Sequence, residues 1–175
     1  LESGRRPAWR LKVPAEVISF VDGNFGPQQQ KLETECGDFI LRRSDGVYAY
    51  QLAVTADDGA MGITRVVRGW DLLSSTPRQI WLLEQLGYPV PTYCHLPLLV
   101  SPDGRRLSKR DRDLDVGVLR QKTPPEAITG FLAHTAGLLA KPEPVHPRDL
   151  IPLFSWDKVG TQDRIVNSEA LLIHR

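Results

Sequence analysis

The chain has 175 residues, with 22 Lys and Arg against 21 Asp and Glu, 41% hydrophobic residues and two cysteines. These values describe one globular domain, or one domain with a small addition, and they exclude a disordered charged chain. No apolar run approaches the roughly 18 residues that a membrane helix needs, so we expect a soluble protein with no membrane partner. Because the net charge is only +1, any RNA contact must come from locally clustered cations.

The two cysteines, Cys36 and Cys94, are too few for a disulfide framework and lack the paired spacing of a zinc site. This usage favours a reducing cytoplasm. Cys94 is followed by His95, but consecutive side chains on a strand point to opposite faces, so we expect a buried thiol rather than a nucleophile and base. The only methionine is Met61, and no signal peptide follows Leu1, which indicates an excised or processed chain.

Strands dominate the first part of the chain. A turn over residues 22–27 leads into a polar segment, residues 28–35, that we expect to be an irregular connection. Alternating, β-branched or aromatic stretches predict strands at residues 9–13, 17–21, 39–43, 47–54 and 61–68.

A helix is predicted to begin at Thr76, because a hydroxyl at the N-cap is followed by Pro77 and, at the third helical position, by Gln79. Its apolar face contains Ile80, Leu83 and Leu86, and Gly87 ends it. Residues 93–100 are short and apolar and predict a buried strand of a parallel sheet. The order strand, helix, strand indicates an α/β fold.

The last part of the chain predicts helices. Residues 123–126 form a second capping box, which opens a helix with Ile128 and Phe131 on its apolar face, and a shorter helix follows His146. We therefore expect a mainly helical region over residues 113–175, after a sheet region over residues 39–112 and connecting strands over residues 1–38.

One basic cluster is the main candidate for a ligand-binding site. Five of the eight residues 105–112 are Lys or Arg, and they follow a turn over residues 101–104. The cluster could be an ordinary solvated loop. Its place beyond the carboxyl end of a buried strand, where open α/β sheets bind ligands, favours a site for a polyphosphate.

The sequence Arg-Leu-Ser-Lys-Arg at residues 106–110 resembles the signature loop of class I aminoacyl-tRNA synthetases, in the form used by the glutamyl and glutaminyl branch. Further blocks resemble this family in order and spacing, at residues 39–54, 57–58, 61–69, 75–79 and 95–99. The resemblance covers roughly residues 9–170. It implies the second half of a Rossmann-like nucleotide-binding domain, followed by a small helical region.

The resemblance is greatest to the short members of the branch, which lack an anticodon-binding domain, because Asp-Arg-Asp-Leu-Asp follows the loop at residues 111–115. It implies a cytoplasmic ligase that activates L-glutamate with ATP in the presence of Mg²⁺ and transfers the glutamate to the queuosine base of tRNA(Asp). Two alternatives stay open. One is a piece of a full glutamyl-tRNA synthetase that charges tRNA(Glu), and the other is a non-catalytic module that binds nucleotide or RNA.

The resemblance also implies roles for particular residues. Tyr50 and Arg68 fall on positions that hold the amino acid, where an arginine can pair bidentately with the glutamate carboxylate. Lys109 and Ser108 fall on catalytic positions of the loop. The ATP-binding positions are Arg106, Leu107, Ser108, Lys109 and Arg110.

Simpler roles remain possible for the two amino-acid positions. Arg68 could form a structural ion pair with Asp57, Asp58 or Asp71, and Tyr50 could be a core residue. No metal ligand is assigned in this chain.

The family's His-x-Gly-His signature and its cysteine-rich zinc knob are absent from these 175 residues. The resemblance places both before Leu1. We therefore expect the chain alone to be catalytically inactive, with zinc possible only in a preceding segment.

Overall fold

A computed structural model describes residues 6–107 and 116–166 and divides the chain into two compact units, residues 1–95 and 96–175. This division does not test the functional boundaries predicted near residues 38 and 112, which stay predictions. Among the described residues, no helix combines the length and the hydropathy that crossing a lipid bilayer requires.

The first unit has an α/β fold. Its strands are β1 (Trp9–Leu11), β2 (Val17–Asp22), β3 (Gly26–Lys31), β4 (Phe39–Arg42), β5 (Arg65–Gly69) and β6 (Thr92–Leu96), the last of which ends at the division between the units. Its helices are α1 (Leu32–Glu35), α2 (Tyr50–Ala60) and α3 (Thr76–Leu86), with a 3₁₀ turn at Trp70–Ser75.

Four of these strands form one mixed sheet in the order β3, β2, β6, β5. β2 and β3 pair as an antiparallel hairpin, and β6 runs parallel to β2 with Tyr93 beside Asp22. β1 and β4 pair separately, and Val13, Leu32, Phe39 and Leu82 form a buried cluster beside them. The parallel pairing of β6 confirms the α/β interpretation.

The segment predicted to be irregular, residues 28–35, is instead the rest of β3 followed by α1. The polar residues of β3 take their strand conformation from the register with β2, in which Gln28 lies opposite Phe20. Leu32 is fully buried and anchors the end of the hairpin in the core.

The strand predicted over residues 47–54 is wrong, because helix α2 begins at Tyr50 and continues to Ala60. Gln51 on α2 accepts a hydrogen bond from Gln79 on α3 at 2.8 Å, so the two helices are joined along this segment. β5 then begins at Arg65 rather than at Met61, because Met61 closes α2 through its bond to the Asp57 carbonyl.

Helix α3 lies where it was predicted, but its capping box does not form. Ser75 is the N-cap and makes no side-chain cap bond, while Thr76 is the first helical residue. Gly87 ends the helix with a φ of 74°, as predicted. In the second unit Pro124, not Thr123, is the N-cap of the predicted helix, so that capping box is also wrong.

The second unit is mainly helical in its described part. Its elements are β7 (Leu99–Val100), α4 (Val116–Lys122), α5 (Pro125–Thr135), α6 (Pro147–Leu150), a 3₁₀ turn (Ile151–Leu153), α7 (Trp156–Val159) and β8 (Arg164–Ile165). β7 and β8 pair in parallel. The single strand predicted over residues 93–100 is therefore two strands, since no ladder continues through Pro97.

Candidate functional site

Asp22 ends β2 and begins the turn that was predicted there. Its Oδ1 atom accepts the backbone N–H groups of Asn24 and Phe25 at 3.0 and 2.9 Å, and also that of His95 at 3.2 Å. Its Oδ2 atom lies 2.6 Å from Nδ1 of His95. Both oxygens of this buried carboxylate therefore have partners, as a buried charge requires.

Gly23 allows the turn to approach β6 closely. Its N–H donates to the Tyr93 carbonyl at 2.9 Å, and a Cβ atom at this position would lie only 2.8 Å from the Cys94 sulfur. A glycine is thus required for steric reasons where Asp22 meets the strand that carries His95.

His95 has 0% of its surface exposed and lies between a carboxylate and a guanidinium. Since Asp22 can only accept, Nδ1 carries the ring proton, and the lone pair of Nε2 accepts from Nε of Arg68 at 3.1 Å. Burial lowers the pKa of His95, and this effect outweighs the opposing interaction with Asp22. The ring is therefore neutral near pH 7.

Arg68 lies near the end of β5 and is held from two sides. Besides His95, its Nη2 atom donates to Oγ1 of Thr76 at 2.8 Å and to the Leu72 carbonyl at 3.3 Å. Its guanidinium carbon lies 5.5 Å from the ring centre of Tyr93. Within the described part of the chain, Nη1 makes no hydrogen bond, so one edge of the cation is available to a ligand.

The charges around Arg68 do not include a direct ion pair among the described residues. Burial lowers the pKa of the Arg68 guanidinium, and interactions with Tyr93, Tyr50 and Asp58 oppose this effect. Burial also raises the pKa of the Tyr93 phenol, to about 12. Because the direct partners of Arg68 are a neutral imidazole, a hydroxyl and a carbonyl, its positive charge is left for an anion.

Tyr50 is the first residue of α2 and is 54% exposed, so its phenol is open to a ligand rather than packed in the core. It belongs to the groups that act electrostatically on Arg68. The structure therefore brings Tyr50 and Arg68 into one electrostatic neighbourhood, and their role with an amino acid stays a prediction.

The basic loop is described only in part. Residues 101–104 form the predicted turn, with Gly104 at a φ of 80°, and the Leu107 amide donates to the Leu99 carbonyl at 3.1 Å. Arg106 and Leu107 are the last described residues before the gap. Ser108, Lys109 and Arg110 lie outside the described residues, so their predicted roles stay predictions.

Sequence reasoning missed three members of the site, Asp22, His95 and Thr76. Cys94 beside His95 is a buried thiol, and burial raises its pKa, in agreement with the prediction of an unreactive cysteine. Among residues 6–107 and 116–166, no group of three or more His, Cys, Asp or Glu side chains could hold a metal ion.

Comparisons with known proteins converge on one family. The family model described as "tRNA synthetases class I (E and Q), catalytic domain" matches residues 2–159. A relative named "Glutamyl-Q tRNA(Asp) synthetase" from Nitratidesulfovibrio vulgaris is 50% identical over 171 residues, which are 97% of this chain and 53% of the relative. A protein of the same name from Neisseria meningitidis serogroup C is 54% identical over 88% of this chain and 52% of its own length.

The fold is also similar to a solved structure. The crystal structure of a glutamate tRNA ligase from Elizabethkingia meningosepticum, in complex with its amino acid, superposes with a TM-score of 0.75 and 27% identity. The match covers 93% of this chain and 36% of that one. The chain thus spans about half the length of the curated relatives it matches.

Proposed function

Because the chain belongs to the family of class I tRNA synthetases for glutamate and glutamine, we propose that its protein activates L-glutamate with ATP and transfers it to the queuosine base of tRNA(Asp). The family membership and the ligase class agree with the sequence-based predictions, as does the α/β catalytic-domain fold. We propose L-glutamate as the amino acid and tRNA(Asp) as the tRNA on this basis. We also propose a cytoplasmic location, which fits the two free thiols.

The observation that carries the proposal is the unused edge of Arg68. A guanidinium held at Nε and Nη2 by neutral groups, with Nη1 available, is a fixed positive charge suited to the side-chain carboxylate of glutamate. A bidentate pair using both terminal nitrogens would require Nη2 to exchange Thr76 or Leu72 for the ligand. We therefore assign the carboxylate contact to Nη1.

Tyr50 would provide a second contact, because its exposed phenol can both donate and accept a hydrogen bond. For ATP, the family resemblance assigns Arg106, Leu107, Ser108, Lys109 and Arg110. In the proposed reaction, the α-carboxylate of glutamate attacks the α-phosphorus and pyrophosphate leaves, with Lys109 and Ser108 stabilising the charge that moves onto the phosphates. Magnesium as the counter-ion of ATP stays a prediction.

The proposal is tested on the protein expressed from its complete gene. Glutamate-dependent exchange of pyrophosphate into ATP should occur without tRNA, and glutamate should then be transferred to tRNA(Asp) that contains queuosine but not to tRNA(Asp) that lacks it. Equal transfer to tRNA(Glu) would instead identify a glutamyl-tRNA synthetase. Binding of nucleotide or RNA without exchange would identify a non-catalytic module.

Variants of two arginines on β5 test the assignment of Arg68. Arg68→Ala should raise the KM for glutamate by about tenfold or more, since it removes a charge-assisted hydrogen bond. Arg65→Ala is the matched control, because Arg65 is exposed and contacts Thr92 rather than the Arg68 network. An equal change in both variants would contradict the assignment.

A further inference from the structure

The buried pair of Asp22 and His95 has no role in the reaction as proposed above, although burying two ionisable groups is costly. His95 is fully buried, and Asp22 is 2% exposed. Outside the pair, the His95 ring meets the Arg68 network, because its Nε2 atom lies 3.1 Å from Nε of Arg68 and 3.4 Å from Oγ1 of Thr76. The pair is therefore arranged around the arginine that we assign to glutamate.

The direction of every hydrogen bond in this chain of groups is determined by chemistry. A carboxylate cannot donate and a guanidinium cannot accept, so the imidazole between them must donate at Nδ1 and accept at Nε2. The other tautomer would place an N–H group of His95 against the N–H group of Arg68. The carboxylate of Asp22 thus selects the tautomer, as second partners of functional histidines do.

Backbone amides fix the position of the Asp22 carboxylate independently of the His95 ring. Three backbone amides, those of Asn24, Phe25 and His95, donate to Oδ1, which leaves Oδ2 directed at Nδ1. The ring is also stacked near Tyr93, with centroids 6.4 Å apart and planes inclined by 11°. The acceptor for Arg68 therefore has little freedom to move.

We propose that Asp22 and His95 are positioning residues, in which Asp22 fixes the Nδ1–H tautomer of His95 and His95 orients Arg68 so that Nη1 faces the amino-acid substrate. The second half of this statement rests on the proposed function of Arg68. Neither residue touches the reacting atoms. Thr76 also holds Arg68 in place, because its hydroxyl accepts a hydrogen bond from Nη2 of Arg68 and its side chain is fully buried at the start of α3.

The first experiment reads the tautomer directly in the wild-type protein. In ¹⁵N-histidine-labelled protein, the nitrogen shifts distinguish a protonated from an unprotonated ring nitrogen, and His95→Gln identifies the resonances of His95 among the four histidines. Near neutral pH we expect a neutral ring with the proton on Nδ1. A proton on Nε2, or on both nitrogens, would overturn the proposal whatever the enzymatic activity.

The second experiment separates positioning from general stability in the protein expressed from its complete gene. Asp22→Asn replaces the acceptor at Oδ2 by an N–H donor, so the His95 ring should change tautomer. The KM for glutamate should then rise by about tenfold, while the KM for ATP should stay within about twofold of the wild-type value. His95→Gln, whose amide oxygen can still accept from Arg68, should retain more affinity for glutamate than His95→Leu. Asp45→Asn, which removes an exposed carboxylate paired with Arg43, is the control.

The outcomes distinguish this proposal from the proposed function. Wild-type protein without glutamate-dependent exchange would contradict the function, whereas the tautomer measurement would still support or overturn the positioning of Arg68. A folded Asp22→Asn variant with unchanged KM for glutamate would overturn the positioning role alone. Loss of kcat and of folded protein together, without a selective change in the KM for glutamate, would show a purely structural role and would also overturn the positioning role.

Discussion

Asp22 and His95 place an acid and a base 2.6 Å apart inside the first unit, and this relationship makes the stability of that unit sensitive to acid. Burial lowers the pKa of His95, and although burial raises the pKa of Asp22, hydrogen bonds from His95 and from the turn amides leave it below its ordinary value. In both cases the unfolded chain takes up the proton first as the pH falls.

We therefore predict that the free energy of unfolding decreases in acid in two steps. The contribution of His95 is complete above about pH 6.5 and is lost as the pH falls below that value, and the contribution of Asp22 is lost below about pH 3.9. Urea unfolding between pH 8 and pH 4 measures the first step. His95→Gln should weaken the dependence, and an unchanged dependence in this variant would contradict the prediction.

The two parts of this site differ in how far the sequence reveals them. Tyr50 and Arg68 were assigned from the family resemblance, which depends on short blocks of neighbouring residues. Asp22 and His95 are separated by 73 positions, and only the parallel register of β2 and β6 brings them together. A local pattern carries no information about that register, so the pair could not be predicted from spacing.

The same reason explains which elements were predicted correctly. β2 is rich in β-branched and aromatic residues, Val17, Ile18, Phe20 and Val21, so its own composition is sufficient to predict a strand. The strand conformation of residues 28–31 depends on pairing with β2, because glutamines have no strand preference of their own. The apolar run at residues 47–54 suits either a strand or a helix, and the contact between Gln51 and Gln79 joins it to α3 as a helix.

Leu32 shows how strongly the first unit depends on its core. It is fully buried in a cluster with Val13, Phe39 and Leu82, at the point where β3 passes into α1. Leu32→Ala should lower the free energy of unfolding by about 3 kcal/mol, through lost burial and the cavity left behind. Leu86→Ala is the control, because Leu86 is 44% exposed and should cost less than about 1 kcal/mol. Equal losses in chemical denaturation would contradict the prediction.

Thr55 on α2 is a position where a substitution should stabilise the protein. It is 2% exposed, and its hydroxyl has no hydrogen-bond partner within the described structure. Thr55→Val keeps the shape and removes the unsatisfied group, so the free energy of unfolding should increase by about 1 kcal/mol. Thr135→Val is the matched control, since the Thr135 hydroxyl donates to the Phe131 carbonyl at 2.8 Å. Loss of this hydroxyl should not increase the free energy of unfolding. A destabilised Thr55→Val would indicate that the hydroxyl does have a partner.

Gly130 in the middle of α5 should tolerate no side chain, although alanine normally favours a helix over glycine by about 1 kcal/mol. A Cβ atom there would lie 1.8 Å from the carbonyl oxygen of Glu143 and 2.7 Å from its carbon. Both obstacles are backbone atoms, and the Val145 amide holds this crossing segment to the helix by donating to the Glu126 carbonyl at 3.0 Å.

We therefore predict that Gly130→Ala lowers the free energy of unfolding of the second unit by about 3 kcal/mol, the upper end of the usual cost of overpacking. Because Trp9, Trp70 and Trp81 lie in the first unit, the transition is followed in urea by the loss of amide hydrogen-exchange protection along α5 rather than by tryptophan fluorescence. Ala127→Gly on the same helix changes the helix propensity and removes one half-buried methyl group, and it should cost about 1 kcal/mol. A stabilised Gly130→Ala variant would show that residues 143–145 do not cross the helix at this position in solution.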